Sequence, residues 1–209
     1  MDFILDPGLV LYLPFYELDG SSFISKDAYG HLATVTGALW TPQGRDFDPV
    51  DDTILTTFPG SLLTTQMTID MWIKPASSFT SAKEILGQTT GDGYGLGGGW
   101  TANKWGLYIN LLVEGWVYSG GTTTGTDAGI WHHMTGTYDV AGGSNNIKVY
   151  VDGVLEAQAT GTHNINATGY HQVSVATVAR IVGEGSIYNR ALTAAEIQRN
   201  YLATKWRYR

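Results

Sequence analysis

Hydrophobic residues recur at every second position along most of this chain, which is the period of a strand with one face against a core. Met67, Ile69, Met71 and Ile73 alternate with Thr68, Asp70, Trp72 and Lys74, and Pro75 closes the run. The same period predicts strands over 9–15, 67–74, 107–113, 131–138, 147–151 and 181–189, with Pro14 placing the first at a sheet edge or at the end of its strand. The runs 131–138 and 147–151 flank a Gly/Ser/Asn connection, so they are antiparallel neighbours. Asp152-Gly153 tolerates the positive φ angles of a type I′ turn and returns the chain into a third strand. In the middle strand of this meander Ile147, Val149 and Val151 share one face, and Lys148, Tyr150 and Asp152 share the other, predicting one buried face and one wet face. The stretch 87–105, GQTTGDGYGLGGGWTANKW, is too rich in glycine for a regular central strand throughout and reads as a loop or a pair of weak strands. Helical spacing emerges only at the end. Thr193 and Glu196 form a capping box, and Ile197, Tyr201 and Leu202 cover one stripe of a helix over about 194–203.

Several of these runs resemble a known family. Trp131-His132-His133, the strand end Tyr138-Asp139 and Val149-Tyr150-Val151-Asp152-Gly153 are similar to the laminin-G-like jelly rolls of the concanavalin A-like lectin and glucanase superfamily. Thr68-Ile69 through Trp72, Lys74 and Pro75 resembles another strand of that family, and Gly183 to Leu192 with the following helix resembles its closing strand and helix. Phe47 to Asp52 resembles the family's Phe-Asp-Gly-x-x-Asp turn, with Pro49 where the glycine usually stands, and Gly185 and Ser186 replace bulkier residues. The resemblance implies an all-β, two-sheet antiparallel jelly-roll sandwich with one short C-terminal helix, spanning 1–209 as a single domain. Its members mostly bind glycans or proteins, and some branches cleave polysaccharides. It also implies one structural Ca²⁺, held by backbone carbonyls near the first strand and by an acid of the closing strand; Glu184 occupies that acidic position, and Asp48 lies in the corresponding turn.

Composition narrows the function classes. With 43% hydrophobic and 15% charged residues, 209 residues bury a sizeable core, and 27 glycines against 6 prolines suit many turns between short strands. A formal net charge of −7 argues against nucleic acid and anionic membrane as partners. No apolar run is long enough to span a bilayer, and the absence of cysteine leaves the redox compartment open. The start, MDFILDPGLV, does not read as a signal peptide. The expected location is extracellular or on a virion surface, reached after a trimmed export signal or by release on lysis.

Candidate chemistry is sparse. Gly93 to Gly98 matches G-x-G-x-x-G, but no helix pattern follows it and no βαβ unit surrounds it, so it reads as loop. His132 and His133 are strand neighbours that point to opposite faces and cannot converge on one ion, which makes them structural. No strand carries acids at alternate positions, so the paired carboxylates of a glycosidase are missing. Asp46, Asp48, Asp51 and Asp52 lie in a proline-containing turn that suits solvent or a hard cation better than acid-base work. Among the aromatic residues, Trp72, Trp131 and Tyr150 are expected in packing. Tyr94, Trp100, Asn103 and Trp105 lie together in the glycine-rich stretch and are expected to form a sugar-binding platform, rings stacking on C–H faces and the amide bonding hydroxyls. Asn166-Ala167-Thr168 is a glycosylation sequon, and the terminal KWRYR is expected to dock the last helix. These readings converge on a non-catalytic recognition module whose partner is a glycan or a surface protein. The alternative is a structural assembly protein, such as a virion decoration or fibre head, which an exposed apolar patch would favour. Oligomeric state is not encoded in any of these patterns.

Overall fold

The computed structural model describes residues 6–48, 50–76, 83–87, 93–98, 104–123, 126–166, 170–175 and 179–209. Its first strands are β1 (Leu9–Leu13), β2 (Ser22–Ile24), β3 (Leu32–Thr36), β4 (Leu39–Thr41), β5 (Gly44–Asp46), β6 (Thr53–Pro59), β7 (Gln66–Pro75) and β8 (Lys83–Gly87). There follow β9 (Tyr94–Gly98), β10 (Trp105–Leu111), β11 (Gly115–Tyr118), β12 (His132–Asp139), β13 (Ile147–Val151), β14 (Val154–Ala159), β15 (Tyr170–Val175) and β16 (Ala179–Tyr188). The chain ends in helix α1 (Ala194–Thr204).

Among the described residues all strand pairings are antiparallel. The first sheet runs β14-β13-β12-β7-β16-β5-β4, with β1 also paired to β16, and the second runs β11-β10-β9-β8-β15-β6-β3-β2. The long-range pairings β7 with β16 and β7 with β12 put the N-terminal and C-terminal parts of the chain in one sheet. This is the two-sheet sandwich with one C-terminal helix expected from the alternation.

Period two sorts the residues as anticipated. Met67, Ile69, Met71 and Ile73 of β7, Met134 and Tyr138 of β12, and Ile147, Val149 and Val151 of β13 face inward and meet Leu96, Leu107, Ile109 and Leu111 of the second sheet in one core. Burying a side chain of this size contributes about 1.5–3 kcal/mol, so this layer dominates the stability. The β13–β14 connection is the two-residue turn foreseen at Asp152-Gly153, with φ of 51° and 80°. Strand β1 stops at Leu13, as Pro14 requires. The glycine-rich stretch contains a real strand, β9, paired on one side with β8 and on the other with β10.

One expectation fails. The outer face of the first sheet is not wet, because α1 and the residues after it lie over it. Tyr150, Tyr12, Tyr188, Leu9, Leu192 and Ile197 form a second apolar cluster there, and Trp72, Trp131 and Tyr208 form a third. The helix starts at the capping box: Thr193 accepts from the Glu196 amide, and the Glu196 carboxylate accepts from the Thr193 amide at 2.7 Å. Arg190 adds an ion pair to Glu196 at 2.8 Å and another to Asp6, tying the helix entry to the segment that precedes β1.

Candidate functional site

Polar residues on the outer face of β7, β12 and β16 are sealed beneath α1. The His133 Nε2 lies 2.8 Å from Asp70, and the Thr135 hydroxyl donates to the same carboxylate at 2.7 Å. Burial works against charge on His133, but the carboxylates of Asp70, Glu184 and Asp152 together outweigh it and the pKa is raised. Glu184, buried on β16, is pushed up to about 7, mainly by burial, with the Arg207 guanidinium at 3.6 Å opposing the shift. The Tyr12 hydroxyl donates to Glu184 at 3.4 Å. The void among Tyr12, Asp70, His133, Glu184 and Thr204 measures about 10 Å³, the lower limit for a single water. Asp70 and Glu184 thus lie buried beneath the helix rather than across an open groove.

Beyond this sealed zone, the end of the first sheet opens into a cleft. Trp72 of β7 and Trp131, just ahead of β12, supply its floor, and the residues around the end of α1 supply its walls. Tyr208 stacks on Trp72 with centroids 4.6 Å apart and planes 26° apart, and lies 4.7 Å from Trp131. It can lie flat on β16 because residue 183 is glycine: a Cβ there would sit 2.2 Å from the Tyr208 ring. Tyr201 stacks on Trp72 from the helix side at 5.8 Å, and the Trp72 indole N–H donates to the Thr204 hydroxyl at 2.8 Å. Asp152, from the turn after β13, together with Lys205 and Arg209, completes a cleft of about 230 Å³. Aromatic walls with a few polar groups at the rim are the usual lining of a small-ligand site.

The residues expected to bind sugar are placed differently. Tyr94 and Trp105 are completely buried and belong to the core, because both have the inward parity of β9 and β10. They cannot stack on a ligand. Trp100 and Asn103 fall outside the described residues. On the opposite face of β10 lie Tyr108 and Asn110, whose cross-strand partners are Tyr118 and Trp116 of the edge strand β11. Trp116 is 37% exposed and meets Tyr108 edge-on at 6.0 Å. Within the motif from Gly93 to Gly98, read from the sequence as loop, Tyr94–Gly98 is instead strand β9, so these residues do not open a helix.

The metal ligands implied by the resemblance are also separated. Ile181 pairs with Asp46 and Val182 with Arg45, so Asp48 lies beyond one end of this pairing and Glu184 beyond the other. At about 3.3 Å per residue that is a distance on the order of 15 Å along the strands, too far for one ion. Glu184 faces Tyr12 and Arg207, whereas Asp48 lies with Asp51 and Asp52, their carboxylate oxygens within 4.8 Å of one another. Asp48 and Asp52 accept the amides of Val50 and Asp48, each at 2.8 Å, and so brace their own turn. The expected pair therefore does not fit a shared Ca²⁺. The two histidines do stay apart, as expected: His133 holds Asp70, and His132 Nδ1 lies 2.9 Å from Asp152.

Sequence reasoning misses Tyr201, Lys205 and Arg209 as members of one site. The only local signal is KWRYR, an aromatic and basic ending on an otherwise acidic chain.

Comparison with known proteins places this geometry. A laminin-G-type family model, described as the concanavalin A-like lectin/glucanases superfamily, matches residues 49–198. No curated protein matches the chain in sequence. Among solved structures, domain 4 of AbnA, a GH43 extracellular arabinanase from Geobacillus stearothermophilus, in complex with arabinotriose, is 18% identical with a TM-score of 0.72, covering 91% of this chain and 97% of that one. The binding domain of botulinum neurotoxin DC, in complex with SialylT, is 12% identical with a TM-score of 0.74, covering 96% of this chain and 52% of the other, so the chain spans about half its length. Trypanosoma rangeli sialidase is 17% identical with a TM-score of 0.65, covering 96% of this chain and 33% of the enzyme. At these identities the likeness concerns the fold.

Proposed function

We propose, from the premise that this chain belongs to the concanavalin A-like lectin/glucanase superfamily, that it is a non-catalytic module that recognises carbohydrate. The observation that carries the proposal is the aromatic cleft of about 230 Å³ between the first sheet and the end of α1. Tyr201 is half-buried there, leaving part of its ring for a sugar C–H face, while Lys205, Arg209 and Asp152 stand where hydroxyls would be bonded. The volume is below the roughly 300–1,000 Å³ of drug-sized pockets, which suits one sugar residue with the rest of a chain outside. Support comes from AbnA domain 4, a unit of nearly the same extent, which is seen with arabinotriose. Catalysis is disfavoured because Asp70 and Glu184 are sealed under the helix rather than set across an open groove.

The assembly reading has one observation in its favour. Ile24 and Leu32 are cross-strand partners on the edge pair β2–β3 and are 51% and 60% exposed. A single experiment separates the two readings. A broad glycan screen is expected to find a ligand of micromolar to millimolar affinity, as a small wet site offers few desolvated contacts, with no release of reducing ends. Tyr201→Ala should weaken that binding by about tenfold, the worth of one stacked ring. A screen without any ligand would leave assembly as the better reading, and release of reducing ends would overturn the non-catalytic claim.

A further inference from the structure

We infer that the cleft selects sugars bearing a carboxylate, a uronate or a sialate residue; this rests on the carbohydrate-recognition reading above. The chain has only 12 basic residues against 19 acidic ones, yet three of the 12 fall within its last five positions, at Lys205, Arg207 and Arg209. Arg207 is used in docking: its guanidinium lies 3.8 Å over the Tyr16 ring and 3.6 Å from Glu184. Lys205 and Arg209 lie on the other side of this tail, at the cleft, and neither has a carboxylate partner among the described residues. Two unneutralised cations on one rim of an acidic protein form a local positive field.

Asp152, the acid of the cleft, offsets one of these two cations and leaves the rim with a net positive charge. One of its oxygens lies 2.9 Å from His132 Nδ1 and the other accepts the His133 amide at 2.9 Å, contacts that hold the carboxylate in its ionised form. Trp131 supplies apolar wall rather than an open polar contact. It is buried, it lines the cleft, and its indole N–H has no acceptor among the described residues. Two cations therefore face one side-chain acid at the cleft, a balance that favours a carboxylate ligand. The Lys205 ammonium sits 5.4 Å from the centroid of the Tyr201 ring, so a carboxylate that meets it brings its own sugar ring against that aromatic face. Aromatic walls alone would equally suit a quaternary ammonium ligand, but the two cations on the rim repel one.

The test is a titration of the whole chain at neutral pH and low salt, followed by protein NMR. Ligands are methyl glucuronoside, galacturonate and N-acetylneuraminate, each beside its nearest neutral sugar. Acidic sugars are expected to bind at least about tenfold more tightly than neutral ones, the worth of one charge-assisted hydrogen bond, and the preference should shrink in salt that screens the rim. Lys205→Gln should collapse the difference between acidic and neutral sugars, and Arg209→Gln should reduce it. The tighter of the uronate and sialate arms identifies the source of the carboxylate. Equal binding of acidic and neutral sugars at the cleft, or an acid preference that survives Lys205→Gln, would overturn this inference and leave carbohydrate recognition standing. Perturbations mapping to Trp116 and β11 instead of the cleft would overturn it as well. No response to any sugar, acidic or neutral, would remove both.

Discussion

Two aromatic regions look alike in sequence and have opposite fates. Tyr94 and Trp105 sit among glycines and polar residues, yet both rings are wholly buried between the sheets. Trp72, Trp131, Tyr201 and Tyr208 are scattered over more than half the chain, yet they gather on one outer sheet face and frame a cleft. The difference lies in what covers each face. The inner faces of two sheets close on each other and leave no room, so an aromatic of inward parity becomes core whatever its neighbours in sequence. An outer face covered by a single helix and its tail is closed only as far as that cover reaches. Asp70, His133 and Glu184 lie under the cover, and the cleft begins at its rim. A local composition that looks like a binding loop is thus weaker evidence than the edge of a second layer.

The largest expected effect breaks or upholds the core half of this comparison. Trp105→Ala should cost about 3–5 kcal/mol, the usual penalty for truncating a fully buried large aromatic. Urea unfolding checks it: an unchanged midpoint would mean that Trp105 is not part of the core and that the parity of β10 is misplaced.

A somewhat smaller effect concerns the sealed zone. The Glu184 carboxyl is raised from 4.5 to about 7, with burial as the main cause and Arg207, Asp70, His133 and Tyr12 facing it. An acid whose pKa is higher in the folded state binds its proton more tightly there, so its contribution is full below the unfolded pKa and is lost as pH rises through about 7. His133, also raised, acts in the same direction. Stability should therefore fall between about pH 5 and pH 8, by at most on the order of 3 kcal/mol from Glu184. Glu184→Gln, which keeps a partner for Tyr12, should flatten the profile and be the more stable chain at pH 8. A parent whose stability climbs over this range would contradict the placement of Glu184 under the helix.

How much of this is legible without coordinates depends on whether the signal is local. Met67 to Ile73, the turn at Asp152-Gly153 and the box of Thr193 and Glu196 are each encoded within a few residues, and each forms as read. The inward parity of Trp105 is also present in principle, since it continues Leu107, Ile109 and Leu111 two residues back. Glycine hides it: Gly95, Gly97, Gly98 and Gly106 carry no hydrophobic label, so period two cannot be followed through β9. The wet face expected for β13 fails for another reason. Polar residues on an outer face need partners, not water: under the helix Asp70 takes His133 and Thr135, and Glu184 takes Tyr12 and Arg207. The cleft itself is beyond sequence reading, because Trp72, Trp131, Tyr201 and Tyr208 meet only through the way α1 and its tail cross the sheet.

The smallest expected effect sharpens the comparison by loosening the cover alone. Thr193 accepts the Glu196 amide and its own amide is held by the Glu196 carboxylate, so Thr193→Ala removes one half of a reciprocal cap. The expected cost is about 1 kcal/mol. Glu196 retains Arg190 at 2.8 Å, which limits the damage to the first turn and leaves the helix seated. Because the core between the sheets does not depend on this turn, the loss should appear first as faster amide exchange in α1, with the exchange of β7 and β12 changed only by the global shift. Faster exchange throughout both sheets, without a selective change in α1, would mean that the helix is integral to the sandwich rather than a cover laid on it. The contrast between a closed interior and an open rim would then have to be drawn elsewhere.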